Sequence, residues 1–266
     1  SEIDRGIIYS GKDLITAVAV GVDSSSVLGL SSKSPMRFFR PSTAGAFGAT
    51  AAVAKLRGFN LDQIINAFGA TYGQISGTLQ PHLEGSPVLG MQIGFCARAA
   101  IAACDLAKEG LNGPKDVFSG KYGYLSLFEG EYDYSKAFNN LGSVWQVSRL
   151  SHKPFPSGRL THGMVDGVQR LKKNNKLEPD EIDKIKCIVP PLAHRLTGRP
   201  DIECPEPNYA KLCIPFVTAT AIIEGTVSVK HFEGEWLLNN KVHKLAKRIK
   251  SIESDEKNPN VMSPQF

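Results

Sequence analysis

The run Ala44-Gly45-Ala46-Phe47-Gly48-Ala49-Thr50-Ala51-Ala52-Val53-Ala54 constrains the chain more than any other. Its side chains are nearly all of methyl size or smaller, so a helix built from it lets a neighbouring backbone approach closely or leaves room for a ligand beside it. Thr43 precedes it as a capping residue and Gly58 closes it, which predicts a helix over 44–56. Gly45 and Gly48 have no strand leading into them and no Lys-Ser/Thr pair after them, so close packing explains them better than a phosphate loop.

Similar punctuation surrounds this run. Ser10-Gly11-Lys12-Asp13 is a capping box with Asp in the reciprocating position, Asn60 and Gln63 open 61–68, and a long apolar helix runs over 89–109 to Gly110. Between 111 and 150 turn formers and aromatics replace the helical pattern, as in Gly120-Lys121-Tyr122-Gly123-Tyr124, and predict a connector. A helix resumes over 160–174. Residues 182–189 alternate as a half-buried strand ended by Pro190-Pro191, helices follow over 215–225 and 240–248, and the tail 251–266 carries little periodicity. The fold class is therefore mainly α with an α+β part: a helical domain over 1–150 and a smaller α+β domain over 151–266.

Composition excludes several classes. In 266 residues with 42% hydrophobic and 21% charged side chains, disorder is ruled out. The net charge of +5 is carried by clusters such as Arg170-Leu171-Lys172-Lys173 and 241–250, which read as solvated helix faces rather than a nucleic-acid surface. The longest uncharged apolar stretches, 14–22 and 213–223, are too short to span a bilayer, so no membrane partner is expected. Five cysteines (Cys96, Cys104, Cys187, Cys204, Cys213), an odd number without Cys-x-x-Cys spacing, read as reduced thiols of a cytoplasmic protein. No histidine has metal-ligand spacing, so no metal is expected.

The chemistry concentrates in Ser151-His152-Lys153-Pro154-Phe155-Pro156-Ser157-Gly158-Arg159-Leu160-Thr161-His162-Gly163, at the predicted domain boundary. Lys153 and Arg159 are suited to hold carboxylates, Thr161 and the following helix N-terminus offer donors to an anion, and His162 is suited to move a proton near neutral pH. Arg40, Gln92 and His82 are further candidates for substrate contact, and Arg98 either joins Gln92 in the pocket or makes an interhelix ion pair.

The loop Lys153-Pro154-Phe155-Pro156 with Thr161-His162, the stretch Ser42-Thr43-Ala44-Gly45-Ala46-Phe47-Gly48-Ala49, and Gly94-Phe95-Cys96-Ala97-Arg98-Ala99-Ala100 with Gly110-Leu111-Asn112-Gly113-Pro114 together resemble the MmgE/PrpD family in order and spacing over about residues 10–250. That resemblance implies an all-helical domain with an α+β lid, usually homodimeric. It further implies a cofactor-independent lyase of the 2-methylcitrate dehydratase type, as in propionate catabolism, acting on a small polycarboxylate by α-proton abstraction with loss of water or CO2. His162 and Lys153 are then the catalytic candidates. Phe39 stands where the family usually has His, Leu89-Gly90-Met91-Gln92 replaces a Lys-x-x-His, and Phe216 replaces a Tyr. An Asp- and His-bearing segment that the family carries ahead of Ser10 is not in the sequence, so both domains are expected to be incomplete, at the N- and C-terminal ends respectively. Two alternatives follow: an inactive or split-gene homologue serving as a binding subunit, and an epimerase or isomerase of a dicarboxylate.

Overall fold

The computed structural model describes residues 8–175, 177–258 and 261, and the side chains of 136, 137 and 174 are excluded from description. The end of the tail, read as carrying little periodicity, lies outside these. In chain order the helices are α1 (Gly11–Ser31), α2 (Arg40–Leu56), α3 (Leu61–Tyr72), α4 (Gln80–Glu84), α5 (Val88–Lys108), α6 (Ser135–Phe138), α7 (His162–Asn174), α8 (Pro191–Thr197), α9 (Pro207–Lys211), α10 (Ile214–Glu224) and α11 (Asn240–Ala246). Strands β1 (Ile185–Val189) and β2 (Ile249–Glu253) pair in parallel, Ile185 opposite Ile249. The mainly helical architecture with a small α+β part is as the sequence implies.

The chain divides into two compact units, one of Ser1–Leu79 and Val88–Ser151, the other of Gln80–Pro87 and His152–Phe266. In the first, α1 and α2 cross so closely that a Cβ on Gly48 would lie 2.5 Å from the carbonyl oxygen of Gly21, and one on Gly21 would lie 2.8 Å from that of Gly48. The small-residue run serves this crossing, and Phe47, fully buried, packs on Phe68, Phe118 and Tyr124. Both predicted capping boxes form, Ser10 with Asp13 and Asn60 with Gln63. By contrast α2 starts earlier than expected, at Arg40, because Pro41 in the first turn is pre-set for helix and loses no bond there. Thr43 is therefore inside the helix, and its hydroxyl meets Tyr124 Oη at 3.2 Å instead of capping.

Helices α1 and α5 are each long and apolar enough to cross a bilayer by length and composition, a test that the core helix of a soluble protein passes too, while their uncharged runs stay as short as expected. Asp23 in α1 and Arg98 and Asp105 in α5 break the uncharged runs without removing the helices' overall hydropathy. Asp23 is buried and accepts a hydrogen bond from the Gln146 backbone N–H at 2.8 Å. Leu14, Ile15 and Val18 of α1, and Met91 and Phe95 of α5, are exposed.

The second unit is built on α10, nine of whose eleven residues are buried. An evenly apolar helix of that kind has to be surrounded, and Phe216 packs there on Phe232 and His243. Gly225 ends it in the left-handed conformation, φ 80°. β2 joins Ile249 and Lys250 to the first three residues of the tail read as carrying little periodicity, and needs only these five once β1 offers a parallel edge. Pro190-Pro191 both ends β1 and starts α8, which the sequence reading did not anticipate.

Candidate active site

Within the second unit the loop before α7 is tied to its surroundings through Gly158. Its N–H donates to the Lys211 carbonyl at 2.8 Å, and a Cβ there would lie 2.6 Å from Leu212 Cδ2, so a larger residue would have to displace the end of that side chain. A turn of 3₁₀ helix, Arg159–Thr161, leads into α7. Thr161 is fully buried and donates its hydroxyl proton to the Gly158 carbonyl at 2.8 Å. With that proton committed, Ser157 Oγ is the donor in the 2.9 Å contact to Thr161 Oγ1. Thr161 thus staples the loop, and the expectation that its hydroxyl donates to an anion is corrected: burial removes it from any ligand.

Two of the predicted residues converge on one acceptor. Lys153 Nζ and His162 Nε2 donate to the Ser157 carbonyl, at 3.4 and 3.3 Å. Phe155 meets the His162 ring edge-on, centroids 5.5 Å apart. Burial is the largest influence on His162 and holds its pKa below the ordinary histidine value; Ser157's carbonyl opposes this, and the charges of Lys153 and Arg159 reinforce it. The ring is accordingly neutral near pH 7, and with Nε2 donating, Nδ1 is the basic nitrogen. Lys153 and Arg159 are exposed. The N-cap Thr161 makes no side-chain capping bond to α7 and the His162 N–H is taken by the Arg159 carbonyl, so two cations and a neutral imidazole lie along one short segment at a helix start.

The other candidates are held elsewhere. Arg40, in the first unit, pairs with Glu129 (Nε to Oε2, 2.9 Å) and also donates to Ser32 Oγ and the Ser34 carbonyl. Glu129 is only 3% exposed and also accepts from Tyr124 Oη at 2.7 Å, so Arg40 is the counter-ion of a buried carboxylate. Gln92, in the same unit, clamps the backbone of Thr78, its Oε1 accepting from the N–H at 2.7 Å and its Nε2 donating to the carbonyl at 3.2 Å. Both ends of the amide are used. Arg98 lies over the Phe95 ring of its own helix, 5.7 Å from the centroid.

His82 belongs to the second unit but not to the loop. Its carbonyl accepts from Arg199 Nη2 at 2.5 Å, and burial, with the Arg199 charge second, lowers its pKa to about 4. His82 is neutral and buried, hence a poor ligand for a carboxylate. Of the remaining histidines, His231 accepts from the Ser228 N–H, and both nitrogens of His243 face acceptors, Asp201 Oδ2 and the Leu237 carbonyl, each at 2.8 Å. Among the described residues no three His, Cys, Asp or Glu side chains gather as a metal would require. All five cysteines are free, and Cys204 alone of them is exposed. The sequence reading passed over Ser157, whose carbonyl gathers Lys153 and His162; flanked by Pro156 and Gly158 it reads only as a turn residue.

Residues 3–137 match the MmgE/PrpD N-terminal domain and residues 155–263 the MmgE/PrpD C-terminal domain. The chain belongs to the MmgE/PrpD family. Its relatives include the cis-aconitate decarboxylase of Mus musculus, 25% identical over 94% of this chain and 52% of that protein. They also include the cis-aconitate decarboxylase-like protein oryM of Aspergillus oryzae, 26% identical over 95% of this chain and 56% of that protein. The chain thus spans about half the length of the curated relatives it matches.

Proposed function

We propose that this chain carries part of the active site of a lyase that acts on a small polycarboxylate by moving a proton at the carbon α to a carboxylate. The observation that carries the reading is the convergence of Lys153 and the neutral His162 on Ser157, with Arg159 a turn away. Removing an α-proton places a second negative charge on the adjacent carboxylate, so cations aimed at that carboxylate lower the barrier. Lys153 and Arg159 hold the carboxylates, the Arg through its planar fork and the Lys as a point charge. His162 takes the proton on Nδ1.

In a dehydration the C–H electron pair becomes the new C=C bond while the C–O bond breaks and hydroxide leaves, protonated to water. In a decarboxylation the C–C pair is left on carbon as CO2 departs, and His162, having first taken a proton from solvent on Nδ1, delivers it to that carbon. The names of the relatives favour decarboxylation of an unsaturated acid, and the resemblance to 2-methylcitrate dehydratases favours loss of water. The purified protein is to be incubated with cis-aconitate, citrate and 2-methylcitrate, following CO2 release and the ultraviolet absorbance of the unsaturated acid. Turnover of one of them, lost in His162→Gln, supports the proposal; no turnover of any of them refutes it.

A second reading is a non-catalytic subunit. Arg40 and Gln92 favour it, because both are consumed by structural bonds, and so does Phe216, which is buried in apolar contacts without a hydroxyl. Unchanged ligand-free behaviour in the same assay is its expected outcome.

A further inference from the structure

A second cationic site lies away from the loop, in an open cavity of about 410 Å³ lined by Arg199, Asp201, Pro215, Lys247, Lys250 and Ser251 among others. Arg199 is its unusual member. Nη2 donates to the carbonyls of His82 and Leu196, and the guanidinium lies 5.0 Å over the Tyr209 ring, but Nε and Nη1 are buried without a hydrogen-bond partner. No carboxylate pairs with Arg199 among the described residues. A partly buried guanidinium without a counter-ion is costly to keep charged, and burial does lower its pKa.

The acids nearby do not supply the missing charge. Asp201, which lines the same cavity, meets His243 Nδ1 at 2.8 Å, and burial raises its pKa above the ordinary carboxylate value. Asp201 is thus engaged with His243 rather than with Arg199. Glu203 is engaged by Lys247 at 3.3 Å, an exposed pair. Lys250 has no ion-pair partner among the described residues and stands on β2 beside Ser251, whose Oγ meets His194 Nδ1 at 2.8 Å.

We infer that this cavity binds a small oxyanion, a carboxylate or phosphate group that serves as counter-ion to Arg199 and is held at the cavity mouth by Lys250 and Lys247. Arg199 provides the fixed buried charge, and the two lysines provide donors that reach solvent. The site is separate from the loop around His162 and does not rest on the proposed lyase activity.

The test is calorimetric titration of the whole chain, at constant ionic strength, with citrate in one arm and inorganic phosphate in the other. A Lys153→Gln background suppresses any contribution from the loop, and backbone amide resonances of Lys250 and Ser251 are followed in parallel. The expected result is saturable binding of at least one anion that shifts both amides and is weakened at least fivefold by Lys250→Gln, an exposed change that leaves the core intact. Tighter citrate binding assigns a carboxylate ligand and tighter phosphate binding a phosphorylated one. Absence of saturable binding by both anions, or binding indifferent to Lys250→Gln with both amides unmoved, overturns the inference. Because turnover is not read, failure of the lyase proposal and failure of this site are distinguishable.

Discussion

Lys153 and His162, nine residues apart in sequence, donate to the same oxygen, the carbonyl of Ser157, at 3.4 and 3.3 Å. The shared acceptor fixes the imidazole's tautomer and sets a positive charge close enough to influence its titration. Lys153 lowers the His162 pKa, after the larger effect of burial. Lys153→Gln is therefore expected to move the pKa upward, and an NMR titration of the His162 ring protons checks it. The acid limb of any pH–rate profile should shift with it, toward higher pH, since the base is protonated sooner as pH falls.

Arg40 is expected to matter for stability rather than for substrate affinity. Arg40→Met leaves the buried Glu129 without its cation while Tyr124 still donates to it. The loss should be about 3 kcal/mol, the lower end of the range for breaking a buried pair by removing one partner, because Arg40 is partly exposed. Urea denaturation measures it, and a double change with Glu129→Gln should cost less than the sum of the single ones.

Gly48→Ala probes the α1–α2 crossing. Its added methyl would meet the Gly21 carbonyl at 2.5 Å and Ser25 Cβ at 2.9 Å, contacts that backbone atoms relieve only by moving the helices apart. A cost of about 1 to 3 kcal/mol is expected. Gly45→Ala in the same helix meets nothing within 4 Å and should be neutral or stabilising. Thermal unfolding of the two variants gives the comparison.

His82 makes stability depend on pH. Its folded-state pKa of about 4 lies below the ordinary value of 6.5, so the unfolded chain takes up this proton first as pH falls. The contribution is fully present above about pH 6.5 and is lost on acidification through the window down to about 4. Its size is on the order of 2 kcal/mol after allowance for partial solvent screening. Denaturation midpoints measured across that window should fall less steeply in His82→Gln than in the parent.

The helical framework was legible because its signals are local. Ser10 with Asp13 and Asn60 with Gln63 each bring a donor and an acceptor within three residues, and each box forms. β2 was not legible, because Ile249–Glu253 becomes a strand only by pairing with β1, some sixty residues earlier. The loop stands out by its concentration of cations, prolines and histidine, but the bonds of Arg40 and Gln92 were not legible. What decides their roles is Glu129 and Thr78, whose proximity no spacing rule discloses. Arg199 was missed for the same reason: Gly198-Arg199-Pro200 reads as a turn, and its lack of a counter-ion is visible only once the neighbouring acids are seen to be engaged.

The most direct test of the central claim, that His162 moves a proton at the α-carbon of a bound polycarboxylate, is exchange of that hydrogen with solvent deuterium, followed by NMR. With the protein present, cis-aconitate or 2-methylcitrate should acquire deuterium at the α-position or in its product, and His162→Gln should slow this by roughly 10² to 10⁴. Deuterium incorporation at an unchanged rate in His162→Gln, or none with the unsubstituted protein, would contradict it.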